Sequence, residues 1–492
     1  MLPAGIRLAR LAGASSLLHG IALSAIVLLP APAYADTLKD ALLGAYRTNP
    51  TLQAARANQR ANDENVPIQR ADGLPSASAT ATYNQNVASN IPSSVSLSPD
   101  RQFSGNLSLS VPIYSGGAVR NSVKAADTRV RAGQADLRGT ESAVFSQVVA
   151  AYMDVILNEA IVGLSSNNVD VLSVNLQATR DRFEIGDLTR TDVAQSEARL
   201  ALAQGDLRTA RANLVRAREY YIQLVGKTPG KLEPPPPLPG LPASSEDALT
   251  VALHDNPDLI AANERAHASA YDIDAAGATR LPRIDVFANG AYTDPLASSP
   301  VSSPYDNTKT ASAGVRATIP LFQGGRPAAL ERQAQARSAS ALEQEIATER
   351  NVIAQVRAAY SSQQAANAII ASTQAAVQAA ELSLEGVRAE NTVGNRTILD
   401  ILNAEQELLN ARVQLVTARR NAYVAGFSLL AAMGHAEARD LGLGDEGVLY
   451  DPDINYKRVT NKVFDWESGP DPVAQSTRTV DTPPQDGEIP PQ

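Results

Sequence analysis

Val111-Pro112-Ile113-Tyr114-Ser115-Gly116-Gly117, VPIYSGG, comes back 208 positions later as IPLFQGG, Ile319 to Gly325. The stretch ahead of each copy alternates with period two. Phe103, Leu107, Leu109, Val111 and Ile113 interleave with Ser104, Asn106, Ser108 and Ser110. Ala311, Ala313, Val315, Ala317, Ile319 and Leu321 interleave with Ser312, Arg316 and Thr318. Such alternation is the mark of a strand with one apolar and one polar face. The proline and the glycine pair then turn the chain into the stretch that follows.

Each of these strands has a partner upstream. Ala77, Ala79, Ala81 and Tyr83 alternate with Ser78, Thr80 and Thr82, and Ile284, Val286 and Ala288 with Arg283, Asp285 and Asn289. Ser/Pro-rich loops around 89–100 and 294–308 join the partners. The four strands are close in length to the ~9–11 residues that a tilted membrane strand requires. One such hairpin is equally compatible with a half-buried hairpin of a soluble protein; two with the same pattern favour the membrane. Four strands cannot close a barrel, because an open edge in lipid leaves backbone groups unpaired. The chain must then oligomerise, and a trimer would supply twelve strands.

Downstream of each glycine pair lies a very long helical stretch, 118–184 and 327–392, with no proline inside either after its first position. At about 1.5 Å per residue each spans roughly 100 Å. Gly186 and Gly394 break them, and a return helix follows each. Val193, Leu200, Leu207, Leu214 and Tyr221 are spaced by seven, as are Ile401, Leu408, Leu415, Ala422 and Leu429, with Leu402, Leu409, Val416, Tyr423 and Leu430 beside them. Sustained seven-residue spacing predicts a left-handed coiled-coil seam. The helix before each hairpin, about 23 residues, and the return helix, about 39, together match the long one, so two short helices stacked end to end could flank it.

Other matches recur at 207 or 208 positions, the offset slipping by one between Pro75 and Val111: Asn49-Pro50 with Asn256-Pro257, Leu74-Pro75 with Leu281-Pro282, Ala151-Tyr152 with Ala359-Tyr360, Gly186 with Gly394 and Gly226 with Gly434. One unit of roughly 200 residues is therefore duplicated, too long for a solenoid repeat. The expected layout is a signal peptide (1–35), a first repeat (36–229, hairpin about 75–114), a Pro-rich linker (230–245) and a second repeat (246–435, hairpin about 282–322). A C-terminal extension packing on the long helices (436–464) and a disordered acidic, Pro-rich tail (465–492) complete it.

Composition limits the alternatives. Hydrophobic residues reach 44% but aromatics only 4%, which suits close-packed helices rather than a thick core. The net charge of −9, without a long basic run, argues against nucleic acid. Arg7 and Arg10, the apolar run Leu17 to Leu29 and Ala33-Tyr34-Ala35 read as a secretory signal; a membrane anchor is the alternative, though the run is short and contains His19. No cysteine follows, so a lipid on an N-terminal cysteine, disulfides and thiolate metal sites are excluded.

The NP turns, VPIYSGG and IPLFQGG, and above all VGNRTILDILNAEQELLNARVQL from Val393 to Leu415, resemble the TolC family of outer-membrane channels over about 37–435. YDPDINYKRV, Tyr450 to Val459, looks like the extension of members that serve type I protein secretion. The resemblance implies a mainly α fold with a membrane β-barrel: a homotrimer whose long coiled-coil helices form an α-barrel through the periplasm and whose strands complete a twelve-stranded barrel in outer-membrane lipid. It also implies a periplasmic adaptor (membrane fusion) protein and an inner-membrane ABC or other transporter as partners.

A gate at the helical tips follows from the same resemblance. Asp192 and Asp400 sit at equivalent sites just inside the return helices, and Asp400 matches an aspartate of the family's entrance constriction. The second family position holds Asn403, so the ring carries less charge. Arg396 matches a locking arginine, with Thr191 and Asp192 as its partners, while Asn391 replaces the family's tyrosine. The alternative is that Asp192 and Asp400 merely favour the helix dipole.

Catalytic chemistry is not expected. His254 and His267 are 13 apart, not at helical zinc spacing, and no GxSxG, P-loop or dinucleotide glycine pattern stands out, so no enzyme, cofactor or metal is expected. Three readings remain: an exit duct for exported protein, a channel for small toxic molecules, and a soluble periplasmic coiled-coil adaptor, whose strands should form a compact sandwich or barrel.

Overall fold

The computed structural model describes residues 36–87, 101–296, 307–444 and 449–489. The signal reading, 1–35, and most of the two strand-joining loops lie outside the described residues. The chain runs α1 (Leu38–Thr48), α2 (Pro50–Asp63), α3 (Asn65–Ala71), β1 (Ser76–Gln85), β2 (Arg101–Tyr114), α4 (Ala118–Glu184) and α5 (Arg190–Val225). The same order returns as α6 (Ser245–Asp255), α7 (Pro257–Gly277), β3 (Arg283–Pro295), β4 (Thr308–Thr318), α8 (Arg326–Thr392) and α9 (Ile398–Met433), and α10 (Pro452–Thr460) ends the helices.

The duplication is visible in what its repeated residues do. Asn49 and Asn256 are both buried. Each caps the helix behind it through its side-chain oxygen, at 3.0 Å to the nearest backbone N–H, and donates its amide to the end of a return helix: Leu224 O at 3.0 Å and Ala432 O at 2.9 Å. That second bond sets α2 end to end with α5, and α7 with α9. Tyr152 donates to the carbonyl of Asp36, and Tyr360 to that of Ala243, each the residue just before the capped start of a short helix. Gly434 is left-handed, and a Cβ there would lie 2.4 Å from the Asp255 carbonyl, so only glycine fits.

The copies differ in the helix that leads to the hairpin. A continuous helix to about Ala71 was the expectation, but the first copy breaks at Glu64 into α2 and α3. Pro67 is the cause: it cannot donate to the Asp63 carbonyl and its ring crowds that carbonyl. The second copy has Asp274 there, and α7 runs through.

The long helices α4 and α8 each have 67 residues and the return helices 36. α5 packs along α4, α9 along α8, and α7 lies between α4 and α8. Leu214, Tyr221, Ile401, Leu408 and Leu429 of the heptad rows are buried, confirming the seam. The main core lies midway along α4, where Phe145, Val148, Tyr152 and Val155 meet Leu42, Tyr46, Leu214 and Tyr221. An 18-residue window of α4 is apolar enough to cross a membrane, yet 44% of it is buried among these neighbours.

The two hairpins are not separate. β2 pairs with β3, so the four strands form one antiparallel sheet, β1-β2-β3-β4. Its register aligns the apolar positions: Ala79, Leu107, Gly290 and Ala311 run across the sheet in one row, and Ala77, Leu109, Ala288 and Ala313 in the next. Ser78, Ser108, Asn289 and Ser312 line up on the other face, where Phe287 lies under the Arg316 guanidinium. β1 and β4 are mostly exposed, and the sheet folds into neither a sandwich nor a closed barrel, against the soluble-adaptor alternative.

α10 packs on α2 and α3. Asn455 donates to Asp63 at 2.6 Å, and Arg56 lies over the rings of Tyr46 and Tyr450. Residues 465–489, expected as a disordered tail, carry no helix or strand but are not detached. Arg218, 6% exposed, donates to the carbonyls of Asp486 and Glu488, both at 3.0 Å, and holds the tail along α5. A buried arginine needs such acceptors, which composition does not reveal.

Candidate functional site at the helical tips

At the end of the helices remote from the sheet, residues 185–189 join α4 to α5 and residues 393–397 join α8 to α9. Gly186 and Gly394 supply the left-handed turn, at φ 87° and 82°. Thr189 and Thr397 then cap the return helices in identical capping boxes. Asp192 Oδ2 accepts from the Thr189 N–H (2.8 Å) and hydroxyl (2.7 Å), and Asp400 Oδ2 from those of Thr397 (2.9 and 2.8 Å). Hydrogen bonds from Thr189 and from Thr397 hold both carboxyls below the usual aspartate range. In each box a single carboxylate oxygen, Oδ2, accepts both bonds. The helix-terminus role is therefore real, and it leaves the charge in place.

The structure does not bring the remaining tip residues together as a lock within one chain. Arg396 Nε donates to Glu390 Oε2 at 2.7 Å, inside its own hairpin, and this carboxylate holds the guanidinium above its ordinary pKa. Asn391 donates to the Arg396 carbonyl at 2.7 Å and closes the turn. Thr191 is exposed and has no side-chain partner among the described residues. Asn403 accepts from Arg199 Nη2 at 2.8 Å, which ties α9 to α5.

A second tie between the hairpins went unread in the sequence. Glu405 is 6% exposed, accepts from Asn175 Nδ2 of α4 at 2.9 and 3.0 Å, and pairs with Arg388 of α8 at 3.0 Å. Leu172, Ala203 and Leu402 pack beside it. One signal was available: Glu405 lies four residues after Ile401 and three before Leu408, so an acid sits on the apolar stripe of α9.

Elsewhere the side chains do not converge on chemistry. A groove of about 500 Å³ between α2, α4 and α7 is lined by residues such as Asn58, Gln59, Asn62 and Gly133, and ion pairs Arg129–Asp272 and Arg265–Asp136 join α4 to α7 beside it. His254 bonds its neighbour Asp255 at 2.5 Å within α6, and His435, just past α9, bonds the same carboxylate at 2.9 Å and so ties the end of α6 to the end of α9.

Comparison with known proteins gives the same architecture. Residues 44–227 and 248–435 match the family described as outer membrane efflux protein. The chain is 34% identical over 446 residues to the outer membrane efflux protein BepC of Brucella suis, covering 90% of this chain and 95% of BepC. It is 25% identical to the outer membrane protein TolC of Vibrio cholerae, over 85% of this chain and 95% of that one. With the alkaline protease secretion protein AprF of Pseudomonas aeruginosa it shares 28% identity, over 62% and 64%. Among solved structures, the Campylobacter jejuni CmeC outer membrane channel superposes with a TM-score of 0.71 at 18% identity, over 86% and 89%.

Proposed function

The chain belongs to the outer membrane efflux protein family, a family of channels in the outer membrane with a tunnel in the periplasm, and from that premise we propose that it is the exit duct of a type I secretion system. Three copies join their sheets into a twelve-stranded barrel and their long helices into one tunnel. Support for the trimer comes from the unpaired outer edges of β1 and β4 and from α8, which exposes Leu342, Ile346, Ile369 and Leu382 in the single chain. A periplasmic adaptor and an inner-membrane transporter supply substrate and energy, since the duct itself has no nucleotide motif.

The observation that carries the secretion reading is the segment Tyr450 to Val459, folded as α10 against the tunnel wall, together with the likeness to AprF, named for protease secretion. A second reading, efflux of small toxic molecules, is favoured by the likeness to BepC. Deleting the gene and comparing both the secreted proteins and the drug sensitivity of the cells tests them. Secretion requires a missing extracellular protein with drug sensitivity unchanged; the reverse result supports efflux.

The tips form the entrance gate. Asp192 and Asp400 of three chains place six carboxylates around it, and Asn403 leaves the next level uncharged. In the closed state Arg396 exchanges Glu390 for Thr191 and Asp192 of an adjoining hairpin. An exposed pair is worth only about 0–1 kcal/mol, which suits a lock that a partner must release.

A further inference from the structure

Along α10 the extension climbs toward the strands. Asp453 accepts from Gln134 at 2.9 Å, Tyr456 bonds Asp127 and packs near Val66 and Val123, and the Thr460 carbonyl accepts from Arg70 at 3.1 Å. These partners lie progressively nearer to the start of α4, which follows β2 directly, and to the end of α3, which precedes β1. By residue 460 the chain has reached the strand end of the helical body. There it reverses. The Lys462 N–H bonds the Val459 carbonyl, the Glu467 N–H bonds the Phe464 carbonyl, and Lys462 pairs with Glu467 at 2.6 Å across the bend. By Thr477 the chain lies against Gly226, back at the level of the main core.

The bend presents apolar side chains to solvent: Val463 is 53% exposed, Phe464 78% and Trp466 97%. Trp466 is the chain's only tryptophan. Tyr114 ends β2, and Phe322 follows β4; both are exposed at the same end of the helical body.

We propose that residues 462–467 form an interfacial anchor that seats Phe464 and Trp466 among the phospholipid headgroups of the periplasm-facing leaflet of the outer membrane. The occupant follows from position and chemistry. The bend continues the aromatic level set by the strand ends, and aromatic rings on amphipathic segments settle where hydrocarbon meets water. Asp465, exposed between the two rings, and the Lys462–Glu467 pair are too polar for the acyl region and hold the segment at the headgroups. Arg70, exposed and bonded to the Thr460 carbonyl, brings positive charge beside it for phosphate. The chain has no cysteine to carry an acyl chain, so side chains must do this work. The inference rests on the strands lying in lipid.

Trp466 reports its own surroundings. The full-length oligomer is reconstituted in phosphatidylethanolamine/phosphatidylglycerol vesicles, with part of the lipid brominated high or low on the acyl chain. The expected result is a blue-shifted emission, roughly twofold quenching by the high bromines, weaker quenching by the low ones, and poor access to acrylamide. Free access to acrylamide without bromine quenching overturns the proposal in favour of water. Protection from both overturns it in favour of a protein neighbour. A Leu107→Trp, Trp466→Phe variant places the reporter on the apolar face of β2. Quenching there but not at Trp466 overturns the anchor alone, and quenching at neither overturns the membrane seat of the strands and the anchor with it.

Discussion

At the scale of single residues, substitution can separate the capping role of the tip aspartates from the gate role proposed for them. Their carboxyls sit below the usual aspartate value of 3.8, so the capping boxes hold at neutral pH and are lost only as pH falls through those lowered values. Asparagine keeps a capping oxygen and removes the charge, whereas alanine removes both. With a gate, Asp192→Asn lowers divalent-cation block in planar bilayers at unchanged thermal stability, and Arg396→Ala raises conductance. Unchanged conductance and block in both variants would leave the aspartates as caps only. Glu405 holds the hairpins from inside. Its removal in Glu405→Ala strands Asn175 and Arg388, at about 2 kcal/mol for hydrogen bonds to a charged acceptor. We expect larger conductance and faster tryptic cleavage near 185–189 and 393–397; wild-type behaviour in both assays would remove Glu405 from the closure.

At the scale of elements, the fold depends on how short helices are joined. Asn49 and Asn256 each cap one helix and satisfy the carbonyl end of another. Loss of a cap and of a buried hydrogen bond predicts a destabilisation of about 2–3 kcal/mol for Asn49→Ala or Asn256→Ala, measurable by denaturant unfolding. A cost below roughly 0.5 kcal/mol would mean that the stacking of α2 on α5 does not rely on the asparagine. The C-terminal extension is attached through a half-buried acid. Glu141 accepts from the Ala438 N–H at 2.6 Å, with Glu437, Asp440 and Arg56 nearby, and burial raises its pKa from 4.5 to about 7. A raised folded-state value means that the stabilisation is complete below 4.5 and is lost as pH rises through about 7. The extension should therefore resist limited proteolysis better at acid than at alkaline pH, and Glu141→Gln should flatten that dependence. An unaltered pH profile in the variant would assign it to another group.

At the scale of the whole molecule, one sheet with two open edges and one long helix with an apolar outer side require more copies. Unheated samples from the outer membrane should migrate at about three monomer masses and collapse to one on heating; a monomer soluble without detergent would contradict the assembly. Much of this was legible in the chain. Period-two alternation, seven-residue rows and repeated NP and GG punctuation are local, and local backbone preference together with one-sided burial is enough to specify strands, seams and turns. The break before Pro67 was legible too, although the helical pattern around it masked it. What the sequence could not state is which distant groups meet. That β2 pairs with β3, that Glu405 joins three helices, that Arg218 holds the tail and that Arg396 rests on Glu390 in the single chain each depend on residues far apart in sequence or on a choice among several charged neighbours. The sequence by itself determined the elements, their duplication and their apolar faces, because period and punctuation are properties of neighbouring residues. Only the tertiary structure decided the sheet order, the ties between hairpins and the path of the C-terminus, because a buried charge or an open strand edge takes whichever partner the packing brings within hydrogen-bond reach.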